Sequence, residues 1–199
     1  MTRIAIFIML VLISINAAFI IYAYKLEDEI KDFRLKSVDG KLVSLSDYPT
    51  TKGFIIVFTC NHCPYSKAYE ERIIDLQKKY ASTYPVIAIN SNDAVTYPDD
   101  SFEAMKKRAV QKKYPFVYLC DESQDVAKIF GATKTPHVYL VQKQEEKNVI
   151  KYVGAIDDNY QDESAVKKHY VEDAIAALEK GIDVSIKETK AIGCSIKWK

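Results

Sequence analysis

An apolar run that ends in two closely spaced cysteines is the feature that most constrains this fold. Residues 54–59 are all apolar or β-branched, and the stretch from Cys60 through Cys63 to Pro64 follows directly. The run predicts a buried strand, and Pro64 predicts the first turn of a helix. A thiol at such a junction lies near free N–H groups, which stabilise a thiolate. We therefore expect a redox-active disulfide between Cys60 and Cys63, with Cys60 as the exposed thiolate and Cys63 as the second, resolving thiol.

The hydrophobic pattern around this junction alternates between strands and helices. A β-hairpin is expected between residues 32–36 and 41–45, around the turn at Asp39 and Gly40. Further strands are predicted at 85–91, 116–120, 137–141 and 149–153, and helices at 64–80, 100–114, between Ser123 and Gly131, and at 164–180. This order predicts an α/β fold: a central mixed β-sheet with helices on both faces and an N-terminal β-hairpin.

The N-terminal segment is apolar enough to interact with a membrane. Residues 4–24 carry no charge, and Arg3 precedes them. This pattern predicts a signal anchor or a cleaved signal peptide at residues 1–24, with the anchor favoured because no clear small-residue cleavage site is present. A buried core helix is the other interpretation. Either export signal places residues 25–199, a single domain by length, outside the cytoplasm.

The overall charge gives no reason to expect a nucleic-acid partner. The chain has 28 basic and 27 acidic residues, for a formal net charge of +1. A balance of this kind creates no extended field of one sign. We also expect no cofactor.

Several motifs together resemble a known superfamily. They are the Cys60–Pro64 junction, the segment from Asp121 to Ala132, the step Thr135-Pro136-His137, the stretch Gly154–Asp158 and the tail at 193–198. In this combination the chain resembles the thioredoxin superfamily, more narrowly the peroxiredoxin-like AhpC/TSA (redoxin) branch, which is related to thiol-disulfide oxidoreductases of the TlpA/ResA type.

The resemblance implies a thioredoxin-like fold from about residue 30 to the end, with Pro136 as a cis-proline facing the cysteines. It implies catalysis by Cys60, Cys63, His62 and Pro136, and substrate contact through Pro64, Thr135, Pro136 and His137. The implied partners are protein thiols and disulfides and a redox protein that supplies electrons. His62 is expected to tune the thiolate by hydrogen bonding or charge.

The same residues allow other interpretations. A zinc site is disfavoured because one Cys-x-x-Cys pair has no partner pair, and a structural disulfide across so short a loop would stabilise little. Copper handling by Cys60, Cys63 and His137 stays open, as does a non-catalytic module that binds client proteins. A thiol peroxidase is a further alternative, although Thr59 stands four residues before Cys63 and the proline of the peroxiredoxin pattern is missing.

Three features stay unassigned at this stage. The predicted strand before the cysteines contains no acidic residue, so the proton acceptor for Cys63 is unknown. Cys120 is expected to be a buried thiol at the end of a strand two places from the central one. For Cys194, a bridge to Cys120, a second resolving role and an inert thiol all remain open, with the inert thiol preferred.

Overall fold

A mixed eight-stranded β-sheet forms the centre of the computed structural model, which describes residues 23–199. The described residues form ten strands, eight of them in this sheet. They are β1 (Glu29–Ile30), β2 (Arg34–Ser37), β3 (Leu42–Ser44), β4 (Gly53–Phe58), β5 (Val86–Asn90), β6 (Val117–Cys120), β7 (Lys134–Thr135), β8 (His137–Gln144), β9 (Lys147–Gly154) and β10 (Cys194–Ser195). The sheet order is β1-β9-β8-β4-β5-β6-β2-β3, while β7 and β10 pair separately. β4, β5 and β6 are parallel, and β8 is antiparallel to β4.

The central strand β4 is buried on both faces, which explains its uninterrupted apolar sequence. Ile55 and Val57 point into one hydrophobic cluster, and Phe54, Ile56 and Phe58 point into the other. The helices α1 (Pro64–Tyr80), α2 (Phe102–Lys112) and α4 (Tyr170–Glu179) contribute to the first cluster, and α3 (Asp125–Phe130) contributes to the second. The fold is therefore the predicted α/β fold, with helices on both faces of a mixed sheet.

Two helix starts differ from their predicted positions. Ser101, not Asp100, caps α2 by accepting a hydrogen bond from the backbone N–H of Ala104, because the Asp100 carboxylate is turned into the interior. The last helix begins at Tyr170 rather than at Ser164, since residues 163–165 form a separate 3-10 turn. The predicted hairpin is present as β2 and β3, and α1 has the predicted bounds.

The proposed signal anchor at residues 4–24 lies almost entirely outside the described residues. Among residues 23–199, no helix is both long and apolar enough to cross a bilayer.

The register of two neighbouring strands places the two cysteines beside the proline loop. Phe58, at the end of β4, pairs with His137 at the start of β8. Thr59 and Cys60 leave the sheet at the edge where Thr135 and Pro136 enter it. The Thr135–Pro136 peptide bond is cis.

Candidate redox site

Cys60 and Cys63 lie at the junction between β4 and α1. Cys60 follows β4 by two residues, and Cys63 is the N-cap of α1, with extended backbone angles of φ −64° and ψ 125°. Pro64 occupies the first helical position, where its missing N–H is not needed. Cys63 is therefore the residue at the positive end of the helix dipole, whereas the sequence had suggested Cys60 for that place.

Both thiols are buried. Cys60 is 5% exposed and Cys63 is 0% exposed. The expectation that Cys60 is exposed is thus wrong. Residues 193–199 lie against the Thr135–Pro136 loop beside the thiols. We call these residues the C-terminal strap.

Thr135 contacts both sulfur atoms. Its hydroxyl Oγ1 lies 3.3 Å from Sγ of Cys60, and the thiol of Cys63 donates to its carbonyl oxygen at 3.2 Å when protonated. The hydroxyl of Ser66, in the first turn of α1, lies 3.9 Å from Sγ of Cys60. The residue before the cis-proline therefore holds the two cysteines in one small cluster.

The two thiols differ in pKa. The neighbouring side chain of Cys60 is the main reason why the pKa of Cys63 is lowered to about 4. The side chain of Cys194 and the backbone N–H groups of Ser66 and Cys194 lower it further, against the effect of burial. In turn, the neighbouring Cys63, burial and the charge of Asp100 raise the pKa of Cys60 far above its usual value. The lower of the two pKa values is therefore at Cys63, whereas the sequence had suggested Cys60 as the thiolate.

Asp100 supplies the acidic group that the central strand lacks. Its buried carboxylate accepts hydrogen bonds from the backbone N–H of Asn61 at 2.7 Å and from the side-chain amide of Asn92 at 2.8 Å. Nδ1 of His62 hydrogen-bonds to the same carboxylate. A carboxylate oxygen, a ring nitrogen of His62 and Sγ of Cys60 lie within 4.8 Å of one another. A carboxylate at this distance can exchange a proton with Cys60, directly or through one water molecule.

His62 is directed towards Asp100 and Tyr97. Its ring stacks on Tyr97 with the centroids 5.2 Å apart and the planes 16° apart. The expected effect of His62 on the thiolate would thus act largely through the Asp100 carboxylate.

Cys60, His62 and Asp100 are also the residues that could hold a metal ion in the described part of the chain. Because Nδ1 of His62 already pairs with the carboxylate, the cluster is satisfied by its own hydrogen bonds. The copper set considered from the sequence differs in using Cys63 and His137. The ring of His137 packs against Tyr139, and its Nδ1 is buried without a hydrogen-bond partner.

The residues expected to contact substrate do not form an open surface. Thr135 and Pro136 are buried, His137 is half-buried, and only Pro64 is exposed. The edge of Thr135 is occupied, since β10 of the strap pairs with β7 and Cys194 lies opposite Thr135.

The two remaining cysteines have different surroundings. Cys120 ends β6, two places from β4 as predicted, and is half-buried rather than fully buried. Cys194 is also half-buried, and its thiol and backbone N–H face the sulfur of Cys63. Burial and the contact with Cys63 raise the pKa of Cys194 to about 11. The structure thus places Cys194 in the thiol cluster, and a bridge to Cys120 is not favoured.

Sequence reasoning missed Asp100 and Ser66 as direct neighbours of the thiols, named Thr135 only as a substrate contact, and left Cys194 open. Asp100 looked like a helix cap because Glu103 follows three residues later. Ser66 carried a usable signal, since a residue three positions after an N-cap offers its backbone N–H to the capping side chain.

Comparison with known proteins shows the family and the fold of the chain. The model of the AhpC/TSA family matches residues 26–153. An uncharacterized conserved protein from Geobacillus kaustophilus is 39% identical, with a TM-score of 0.80 over 88% of this chain and 93% of that one. A hypothetical protein from Sinorhizobium meliloti is 31% identical, with a TM-score of 0.81 over 89% and 97%. No curated protein matches the chain.

A more distant structure shares the fold. It is a putative thiol:disulfide interchange protein DsbE from Chlorobium tepidum, 22% identical, with a TM-score of 0.52 over 64% of this chain and 84% of that one. At this identity the likeness concerns the fold alone.

Proposed function

The chain belongs to the AhpC/TSA family of thiol oxidoreductases, and we propose that it is a thiol-disulfide oxidoreductase that cycles Cys60 and Cys63 between dithiol and disulfide. The observation that carries the proposal is the placement of the two thiols: Cys60 and Cys63 lie at the N-terminus of α1, and Thr135 contacts both sulfur atoms. The pKa of Cys63 is lowered to about 4, by Cys60 first. A thiol that is ionised near neutral pH is ready for exchange.

The reaction follows from the arrangement of the two sulfurs. The Cys63 thiolate attacks a disulfide R–S–S–R′, so that a mixed disulfide to R forms and R′ leaves as a thiolate. Cys60 then loses its proton, for which Asp100 is the nearest carboxylate, and attacks the Cys63 sulfur. The Cys60–Cys63 disulfide forms, R leaves as a second thiolate, and the substrate has gained two electrons.

In the cell, this cycle requires a donor of electrons. The preferred direction is reduction of disulfides in exported proteins, in support of cell redox homeostasis, with a membrane-bound or soluble dithiol protein as donor. Residues 4–24 support this setting because their sequence is typical of an export signal that tethers the domain to a membrane.

Redox titration and trapping test the proposal. The full chain is equilibrated in glutathione buffers, and its disulfides are identified by peptide mapping. A Cys60–Cys63 disulfide that forms and breaks reversibly is expected. In the double variant Cys60→Ser/Cys194→Ser, Cys63 should remain joined to substrate proteins through a mixed disulfide. The Cys63→Ser variant should trap none. If the Cys63→Ser chain turns over a disulfide substrate at the wild-type rate, the proposal is wrong.

A thiol peroxidase is the second candidate, favoured because the lower of the two pKa values is at Cys63 rather than at Cys60. In that reaction the Cys63 thiolate attacks a peroxide oxygen, an alcohol or water leaves, and the resulting sulfenic acid condenses with Cys60 to release water. Peroxide consumption in the presence of a dithiol donor distinguishes the two functions. A peroxidase would consume peroxide much faster than it reduces a disulfide substrate.

A further inference from the structure

The C-terminal strap is built into the redox site. Ile196 is 3% exposed within the hydrophobic cluster that α3 also joins. The backbone N–H of Lys197 donates to Asn92 at 2.8 Å, and its carbonyl oxygen accepts from the side chain of Gln124 at 2.8 Å. These contacts fix the strap on the C-terminal side of Cys194.

Gly193 allows the strap to lie directly on the cis-proline loop. A Cβ atom at this position would lie 2.2 Å from the carbonyl oxygen of Thr135 and 3.1 Å from the nitrogen of Pro136. Only glycine permits so close an approach. The next residue, Cys194, then pairs with Thr135, whose carbonyl oxygen also contacts the thiol of Cys63 at 3.2 Å. The backbone pairing therefore brings two sulfur atoms to the same residue.

Cys63 is the middle sulfur of three. On one side lies Cys60, whose sulfur contacts the hydroxyl of Thr135 at 3.3 Å, and on the other side lies Cys194, which pairs with the same Thr135 across β7 and β10. Cys60 and Cys63 are buried, and Cys194 is the half-buried member of the cluster. While the strap lies on the site, Cys194 is thus the first sulfur that a large partner meets.

We propose that Cys194 is a third redox-active thiol, which forms an alternative disulfide with Cys63 and through which a dithiol protein reduces the buried pair. The inference rests on the proposed dithiol function of Cys60 and Cys63 and adds the route by which electrons enter.

The first step is an internal exchange without net oxidation. Cys194 loses its proton and its thiolate attacks Sγ of Cys63 in the Cys60–Cys63 disulfide. The Cys63–Cys194 bond forms, the Cys60–Cys63 bond breaks, and Cys60 leaves as a thiolate that takes up the proton. The strap is now covalently closed on the site.

The second step brings in two electrons. One thiolate of the donor dithiol attacks Sγ of Cys194, and Cys63 leaves as a thiolate. Cys63 leaves readily because its pKa is lowered to about 4, by Cys60 first, and a thiol of low pKa is a good leaving group. The second donor thiol then displaces Cys194, so that the donor is oxidised to its disulfide and the chain is fully reduced.

Disulfide mapping of the full chain with single substitutions tests this route. The chain is equilibrated with glutathione buffers and alkylated in acid. Wild type is expected to contain both Cys60–Cys63 and Cys63–Cys194 bonds. Cys60→Ser should form Cys63–Cys194 as its one internal disulfide, and Cys194→Ser should form only Cys60–Cys63. Cys120→Ser is the control, because its thiol lies outside the cluster, and it should behave as wild type.

A rate measurement gives an independent readout. Reduction of the oxidised chain by a thioredoxin-type dithiol protein should be slower in Cys194→Ser by at least about tenfold, with little change when small dithiothreitol is the reductant.

The two proposals fail in different ways. If the Cys60→Ser chain keeps Cys63 and Cys194 as free thiols in buffers that oxidise the wild-type pair, the relay is wrong and the dithiol function stands. If wild type never forms a Cys60–Cys63 disulfide, the proposed function itself fails.

Discussion

The charge state of one sulfur atom decides how the reduction potential of this site depends on pH. Cys60 first, and then Cys194 and nearby backbone N–H groups, lower the pKa of Cys63 to about 4, whereas the pKa of Cys60 is raised far above its usual value. Reduction of the disulfide then takes up two electrons and one proton. We predict that the potential falls by about 30 mV per pH unit between about pH 5 and pH 9. A slope of about 60 mV per pH unit, which indicates uptake of two protons, would contradict the assignment.

Asp100 gives a second test of the same proton count. The charge of Asp100 raises the pKa of Cys60, so the substitution Asp100→Asn should lower the pKa of Cys60. The plot of reduction potential against pH should therefore become flat at a lower pH than in wild type. Asp99→Asn is the matched control, because its side chain is exposed at the adjacent position. Equal profiles for both variants would show that Asp100 only supports the loop.

His137 is predicted to make the fold sensitive to acid. Burial lowers the pKa of His137 from 6.5 to about 4, and Nδ1 has no hydrogen-bond partner. Between these pH values the unfolded chain binds a proton at this residue and the folded chain does not, so stability is lost as the pH falls. The expected loss is about 3 kcal/mol by pH 4.

Urea unfolding at several pH values measures this effect. His137→Gln should remove most of the difference in stability between pH 6.5 and pH 4. His169→Gln is the control, since the ring of His169 is exposed. If both variants keep the wild-type pH dependence, the acid sensitivity arises from other groups.

At the scale of elements, the pairing of β10 with β7 closes the site. Gly193→Ala places a Cβ against the carbonyl of Thr135, and backbone cannot move aside as a flexible side chain can. We predict that the variant loses about 1–3 kcal/mol of stability. We also predict that Cys63 is alkylated at least about tenfold faster, because the strap opens. Peptide mapping after timed alkylation gives the rate.

Gly181→Ala provides the comparison for this experiment. Gly181 has a positive φ of 68°, which Gly193 does not, and a Cβ there would meet no atom within 4 Å. The Gly181→Ala variant should lose stability through backbone strain, without a change in the rate at which Cys63 is alkylated. Equal labelling of Cys63 in the two glycine variants would show that the strap does not control access.

The sequence predicts the regular elements well and the strap poorly, for physical reasons. β4 and α1 carry long, uninterrupted patterns that only one secondary structure satisfies. The strap contains a two-residue strand, and its position depends on backbone pairing with a strand 59 residues earlier, which leaves no local periodicity. The position of Asp100 likewise depends on tertiary contacts with Asn61, Asn92 and His62.

At the scale of the whole molecule, export is a prediction that the described residues do not address. Residues 4–24 are uncharged, and Arg3 precedes them. This arrangement predicts that the domain lies outside the cytoplasm, tethered to the membrane. Reporter fusions at the C-terminus should be active only with an enzyme that works after export. Activity of a cytoplasm-specific reporter, with none from the exported one, would be evidence against both the anchor and the exported substrates.

The reduction potential of the Cys60/Cys63 couple tests the central claim most directly. It is best measured in glutathione buffers with Cys194→Ser, so that only these two cysteines of the cluster can pair. A thiolate held by hydrogen bonds stabilises the reduced form, which raises the potential above that of thioredoxin. We predict a reversible two-electron couple at about −230 to −150 mV. A disulfide that stays oxidised below about −300 mV, as structural disulfides do, or a pair that never oxidises, would contradict the account.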